Sequence, residues 1–266
     1  MTLRFTILGC ASSPGVPRID GNWGACDPSN PKNRRRRCAL LVERFSGDKR
    51  TVVLIDTGPD LREQILEARV DWLDGVLYTH DHADHAHGID DLRILAYRAR
   101  RRIDVYFDSA TGAVLQHRFD YCFATPEGSS YPPIVKPHTI RAGEMVTIEG
   151  AGGPISAMPF IQRHGNIDSL GFRIGGLAYS SDLHDLPEDS VSQLENLDIW
   201  IVDALRYTKH PSHFSVEDAL MWIDRLEPKR AILTHLHMDL DYETLKAELR
   251  EGVEPAYDGM HFELSE

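Results

Sequence analysis

Cysteine is scarce in this chain. Four residues, Cys10, Cys26, Cys38 and Cys122, are scattered over 266 positions with no C-x-x-C pair. That spacing suggests neither a disulfide framework nor a cysteine zinc site, and free buried thiols are the default reading. Long apolar runs are also missing. Nothing approaches the roughly 18 residues of a membrane span, and the N-terminus has no signal-peptide layout, so a cytoplasmic address with no membrane partner is expected. Basic residues are outnumbered, 29 Lys and Arg against 41 Asp and Glu, for a net charge of −12. That balance argues against a general electrostatic nucleic-acid binder, and no stable nucleic-acid partner is expected. There is no internal repeat, and no linker convincingly divides the chain, so one domain over 1–266 is expected. With 42% hydrophobic residues, a chain of this length buries an ample core.

Histidine, by contrast, is concentrated. Thr79–His87 reads T-H-D-H-A-D-H-A-H, and four of the thirteen histidines fall between His80 and His87. Upstream, Asp74–Thr79 reads as a short buried strand. Downstream, Ile89, Leu92, Leu95 and Ala96 recur at helical spacing, which places the histidines on a strand-to-helix loop. In that geometry His80 and His82 point to one side, and Asp84 and His85 turn in as the helix begins. Imidazole and carboxylate together suit zinc, iron or manganese. Three later residues share one criterion, each standing where a strand ends: His164, Asp182 and His235. Strand ends converge on one edge of a sheet, where α/β sites are built.

The rest of the chain reads as alternating strands and helices, an α/β pattern. Strands are expected at Leu3–Gly9, Cys38–Phe45, Thr51–Asp56, Ile103–Phe107, Met145–Glu149, Ile155–Ile161, Leu170–Ile174, Leu177–Ser180, Ile199–Asp203 and Arg230–Thr234. Helices are expected at Leu61–Arg69, Ala110–Phe119, Glu188–Leu194 and Tyr242–Glu251, and around Val216–Ile223. Thr125–Pro137 reads as a loop. The stretch from Cys10 to about Arg37 is far longer than an ordinary connection, as functional or disordered loops are. Arg34–Arg37 closes it as a solvated charge cluster, although one or two guanidiniums could meet a phosphate. Asp56, closing a buried strand, either caps a helix or supports a metal ligand from behind.

Taken together, T-H-x-H-x-D-H after a strand, a later lone His, an Asp after a strand and a terminal T-H resemble the metallo-β-lactamase superfamily. Leu8–Pro17, Leu54–Gly58, Ile232–His235 and Asp258–Met260 are similar to its PhnP-like branch, the cyclic-phosphate phosphodiesterases of phosphonate breakdown. The resemblance implies a four-layered αββα sandwich and two divalent ions, Zn2+ or Mn2+. It implies that His80, His82 and His164 hold one ion, that Asp84, His85 and His235 hold the other, and that Asp182 bridges them. It counts Asp84 with His213 as catalytic, His213 in the role of proton donor with an imidazole titrating near neutrality. His210 is a weaker stand-in for that role, and His87 is a bystander near the ligands. One departure stands out: the relatives' structural zinc run C-x-C-x-x-C is reduced here to Cys26, and Met238 replaces the late histidine, so that ion is expected to be absent. The implied reaction is hydrolysis of a small phosphodiester, a cyclic ribosyl or nucleoside phosphate. The alternatives are tRNA 3′ processing as in RNase Z, thioester or lactam hydrolysis, and a non-catalytic metabolite binder or carrier. The sequence is silent on oligomeric state, and a homodimer is compatible with it.

Overall fold

The structure, a computed structural model, describes residues 2–265. Fourteen strands form two seven-stranded sheets among the described residues. They are β1 Thr2–Gly9, β2 Ala39–Ser46, β3 Lys49–Ile55, β4 Gly75–Leu77, β5 Ile103–Phe107, β6 Val135–Thr139, β7 Val146–Ile148, β8 Ile155–His164, β9 Ile167–Ile174, β10 Leu177–Ser180, β11 Ile199–Asp203, β12 Arg230–Thr234, β13 Val253–Pro255 and β14 His261–Ser265. The first sheet runs β14-β1-β2-β3-β4-β5-β6, and the second runs β13-β12-β11-β10-β9-β8-β7. Each has an antiparallel half and a parallel half: β3 to β6 are parallel in one, and β10 to β13 in the other.

Side-chain alternation decides which face meets what. Phe5, Ile7, Val42, Val53 and Ile55 of the first sheet pack against Ile155, Phe172, Tyr179, Ile201 and Ile232 of the second, forming the central core. The opposite residues of the same strands, Leu41, Val52 and Leu54, meet the helices Leu61–Ala68 and Leu92–Ala99. Trp200, Val202 and Leu233 likewise meet the helices Val216–Leu226 and Tyr242–Glu248. Both faces of each sheet are thus covered, which is why β3 and β11 read as unbroken apolar runs. The result is the four-layered αββα sandwich.

Three strands escaped the sequence reading. β6 begins inside what reads as the Thr125–Pro137 loop and runs on to Thr139, and β13 and β14 follow a helix that ends at Glu248, not Glu251. All three are sheet edges. They are short, and β6 and β13 contain proline, which an edge tolerates because one side of the strand needs no ladder bonds.

The arginine run is not a solvated cluster. Arg35 is buried at 2% exposure. Its Nη2 donates to the Leu240 carbonyl at 2.8 Å and to Asn33 Oδ1 at 3.1 Å, and Nη1 lies 3.8 Å from Cys26 Sγ. Arg36 pairs with Asp258 and Glu67, and Arg37 with Asp60, while Arg34 lies over the Trp23 ring. The long loop is therefore fastened to the segment just past β12 by a guanidinium. Its registration continues through the paired backbones of Val16 with Arg35 and Ala11 with Leu236. Met238 packs with Ala11, Val16 and Cys26 in the same small apolar cluster. Arg35→Met is expected to cost about 3 kcal/mol in urea denaturation, because it strands buried acceptors on Leu240 and Asn33.

Candidate metal centre

The site is built where strands stop. β3 ends at Ile55 and β12 at Thr234, and the residue after each, Asp56 and His235, adopts left-handed backbone, φ 67° and 57°. Such conformations cost about 1–3 kcal/mol in non-glycine residues and collect at functional sites. Close packing brings the β3 turn against the histidine loop: a Cβ on Gly58 would stand 2.3 Å from the Asp84 carbonyl. Only glycine fits there.

Asp56 then organises the histidines from behind. It accepts from the Thr79 N–H and Oγ1–H, each at 2.8 Å, and from His85 Nδ1 at 2.7 Å. Since the Thr79 hydroxyl proton goes to Asp56, Thr79 Oγ1 accepts from His80 Nδ1 at 2.9 Å. His164 Nδ1 donates to the Ser212 carbonyl at 2.7 Å, and His213 Nδ1 to Asp203 Oδ2 at 2.7 Å. One consequence runs through all four rings. With Nδ1 carrying the proton, a neutral imidazole presents the Nε2 lone pair inward.

What those lone pairs meet is another ligand-type atom. His82 Nδ1 and His164 Nε2 are 3.2 Å apart, and two nitrogens each 2.0–2.1 Å from one tetrahedral ion stand about 3.3 Å apart. His80, His82 and His164 can share one cation, and Asp84, His85, Asp182 and His235 can share another. Asp182 lies between the groups, 3.0 Å from His85 Nε2, 3.5 Å from His235 Nε2, 3.7 Å from His164 Nε2 and 3.9 Å from His80 Nε2. Among the described residues, the buried Nε2 atoms of His80, His85 and His235 and Oδ1 of Asp182 have no hydrogen-bond partner. Buried polar atoms are rarely left so. A cluster of them aimed at one another fits a cation between them.

Electrostatics agree with that reading. Burial drives His80 well below its ordinary value, and His164 to about 4. At His85 burial pushes the same way, but Asp182, Asp84 and Asp56 overcome it and raise the group. Burial works against ionisation of Asp182 and Asp84, yet the imidazoles around them hold both carboxyls low. Two ionised carboxylates and unprotonated rings at His80 and His164 are the state in which such groups bind a divalent ion, whereas at His85 a cation would take the place of the proton that the carboxylates favour.

The comparisons with known proteins follow the same line. Residues 51–236 match the model of the beta-lactamase superfamily domain. The chain belongs to that superfamily. The structure of a new diphosphatase from the PhnP family matches it at 33% identity and TM-score 0.89, over 99% of this chain and 98% of that one. Zn(2+)-bound PqqB from Methylobacterium extorquens matches at 20% identity and TM-score 0.74, over 98% of this chain and all of that one (100%). The short form of human tRNase Z gives 16% and 0.64, covering 97% of this chain and 98% of its own. A curated relative, an octanoyltransferase of Porphyromonas gingivalis (strain ATCC BAA-308 / W83), is 30% identical over 263 residues, 97% of this chain and 51% of that protein. The chain spans about half the length of that relative.

As in that superfamily pattern, His80, His82, Asp84, His85, His164, Asp182 and His235 all reach one rim. His213 joins them, its Nε2 3.9 Å from Asp182 Oδ2. One reading needs correction. His87 is exposed and lies edge-on to Phe119, 5.5 Å away, outside every ligand group. The His213 ring is shifted from its ordinary value: burial lowers it, against the pull of Asp182 and Asp84. Of the two roles open to Asp56, it takes support of His85 and makes no side-chain cap on the helix that follows. Asp203 went unnoticed in the sequence, although it closes a buried strand as Asp56 does. It holds His213 and lies 3.8 Å from His235 Nδ1. A hollow of about 530 Å³ elsewhere on the surface is lined by Tyr97, Arg101 and Tyr131.

Proposed function

We propose that the chain is a dinuclear metal hydrolase of P–O bonds, acting on a small cyclic ribosyl or nucleoside phosphodiester. One observation carries the reading: two ligand groups, with inward lone pairs set by Asp56, Thr79 and Ser212, share Asp182 between them. The residues present fit two divalent cations, zinc or manganese, His80, His82 and His164 holding one, Asp84, His85 and His235 the other, and Asp182 both. When bound, such a pair would lower the pKa of a water toward about 7 and neutralise phosphoryl charge.

The chain's own contribution is orientation and proton delivery. Asp56 fixes His85, and Thr79 fixes His80, so the ligand geometry precedes binding and costs nothing at the moment of reaction. Asp203 accepts the Nδ1–H of His213, leaving Nε2 at the rim. A proton held at that Nε2 passes to the departing alkoxide oxygen, which is a poor leaving group without it. The approaching phosphate anion favours the charged ring by Coulomb attraction, as Asp182 and Asp84 already do.

A second substrate, a diphosphate, is favoured by the PhnP-family diphosphatase at 33% identity. The pre-tRNA reading has support only from fold-level likeness, 16% for the short human tRNase Z. Octanoyl transfer has weak support here. The relative's name belongs to a protein of which this chain matches 51%, and all four cysteines are buried. A non-catalytic binder would retain the metals without turnover. We place the protein in the cytoplasm; no helix among the described residues is long and apolar enough to cross a membrane.

The test is one panel on metal-loaded protein: five- and six-membered cyclic phosphates, a dinucleoside diphosphate, linear dinucleotides, pre-tRNA and a thioester. Turnover is expected on the cyclic phosphates first and the diphosphate second. Turnover of the thioester alone, or of nothing, overturns the proposal. Metal analysis is expected to return two ions per chain, and Cys26→Ser is expected to leave that number unchanged.

A further inference from the structure

Two more histidines stand beside the ligand groups without belonging to either. His210 Nδ1 accepts from the Ser212 N–H at 3.3 Å, with Ser212 Oγ 3.1 Å away. His184 Nδ1 accepts from the Gly165 N–H at 3.1 Å. A main-chain N–H can only donate, so in both rings Nδ1 is the lone-pair atom and a neutral ring carries its proton on Nε2. This is the reverse of the tautomer set at His80, His85 and His164. Among the described residues neither Nε2 has a hydrogen-bond partner, and both side chains are partly open to solvent.

Their anchors lie together. Ser212 also receives the Nδ1–H of His164, and Gly165 follows His164 directly. A Cβ on Gly165 would stand 3.1 Å from Ser212 Cβ. The His210 ring centroid is 5.2 Å from that of His213, and His213 in turn is 4.7 Å from His164. The order outward from the ligands is therefore His164, His213, His210. Arg206, whose guanidinium donates to the Thr208 and Lys209 carbonyls, adds positive charge to the same loop. In a chain of net charge −12, a rim of N–H donors and cations beside the proton donor is selective for an anion.

We propose that His210 and His184 form a subsite for a second phosphoryl group, carried on the leaving-group side of the bond that is cleaved. The inference rests on the P–O hydrolase reading and adds one feature to its substrate: a further phosphoryl on the leaving-group side of the scissile bond, carried by a phosphodiester or supplied as the second phosphoryl of a diphosphate. His213 meets the departing oxygen, and the two outward Nε2–H groups meet the phosphoryl oxygens one group beyond it. A cyclic phosphate without that second phosphoryl leaves both donors to water.

The test pairs binding with turnover. Methylenediphosphonate is titrated calorimetrically into metal-loaded wild-type, His210→Phe, His210→Gln and His184→Gln proteins, all checked for equal metal content and circular dichroism. His210→Phe is expected to weaken binding about tenfold to a hundredfold, the usual effect of losing a hydrogen bond to a charged group. On a dinucleoside diphosphate it is expected to raise KM more than it lowers kcat. Its loss in kcat/KM there should exceed its loss on bis(4-nitrophenyl) phosphate at least tenfold. Glutamine, which retains an N–H donor, is expected to recover part of the binding. Equal losses on the two substrates, or unchanged diphosphonate affinity in both His210 variants, overturn the subsite. Absence of any P–O turnover by the wild type overturns the hydrolase reading, and the diphosphonate titration still reports on the subsite.

Discussion

Asp182→Ala protein is expected to lose both metal ions and to fall by about 10³-fold or more in kcat/KM on bis(4-nitrophenyl) phosphate. The size follows from position. Asp182 approaches four imidazoles, at 3.0 to 3.9 Å, drawn from both ligand groups. Its removal therefore weakens two sites at once. Losing several kcal/mol of charge stabilisation in the transition state corresponds to about three to four powers of ten. Asp182→Asn is the sharper variant, because it preserves volume and removes only the charge. Metal content by plasma mass spectrometry and turnover should drop together in both proteins. His87→Ala, which touches Phe119 and none of the ligands, is the control expected to retain both. An Asp182→Asn protein holding two ions and full activity would remove the bridging role, and the dinuclear reading with it.

What the sequence disclosed, and what it hid, follows from where each residue sits. The candidate ligands were legible because a strand end has a signature: an apolar run, then a polar residue that packing does not require. His80, His164, Asp182 and His235 all carry it, and so did Asp203, which closes Ile199–Asp203 in the same way. It was passed over because nothing in the chain shows that His213 returns across ten positions to meet it. The inner strands were legible because both faces are covered, whereas β6, β13 and β14 have one neighbour each and too few residues to alternate. Arg35 misled for a different reason. A run of four arginines reads as solvated, and only the fold brings the Leu240 carbonyl and Asn33 to one of them. The tautomers were not legible at all. They depend on Ser212, Gly165, Thr79 and Asp56, residues with no functional mark of their own, and they separate the inward histidines from the outward His210 and His184.

His213→Ala is expected to slow alkyl-leaving substrates by about 10²- to 10⁴-fold, the ordinary yield of a general acid, and nitrophenyl esters far less. Nitrophenolate leaves without a proton, so only the alkyl ester exposes the loss. The pH profile carries the sign. Burial lowers the His213 group below its ordinary value of 6.5, with Asp182 and Asp84 opposing. The charged, proton-bearing ring is therefore the low-pH form, and in the free enzyme it is lost as pH rises through a value under 6.5. The kcat/KM for an alkyl phosphodiester should acquire a descending component there that the nitrophenyl ester lacks. In kcat the same component should lie higher, since the bound phosphate anion favours the charged ring. Asp203→Asn offers a separate check. It keeps the shape but replaces the acceptor that fixes Nδ1–H at 2.7 Å, so the ring is free to turn over to the wrong tautomer. Loss of the descending component in Asp203→Asn, with metal content unchanged, would show the pair working as one unit. Equal losses on both ester classes in His213→Ala would instead reassign the ring to holding the site in shape.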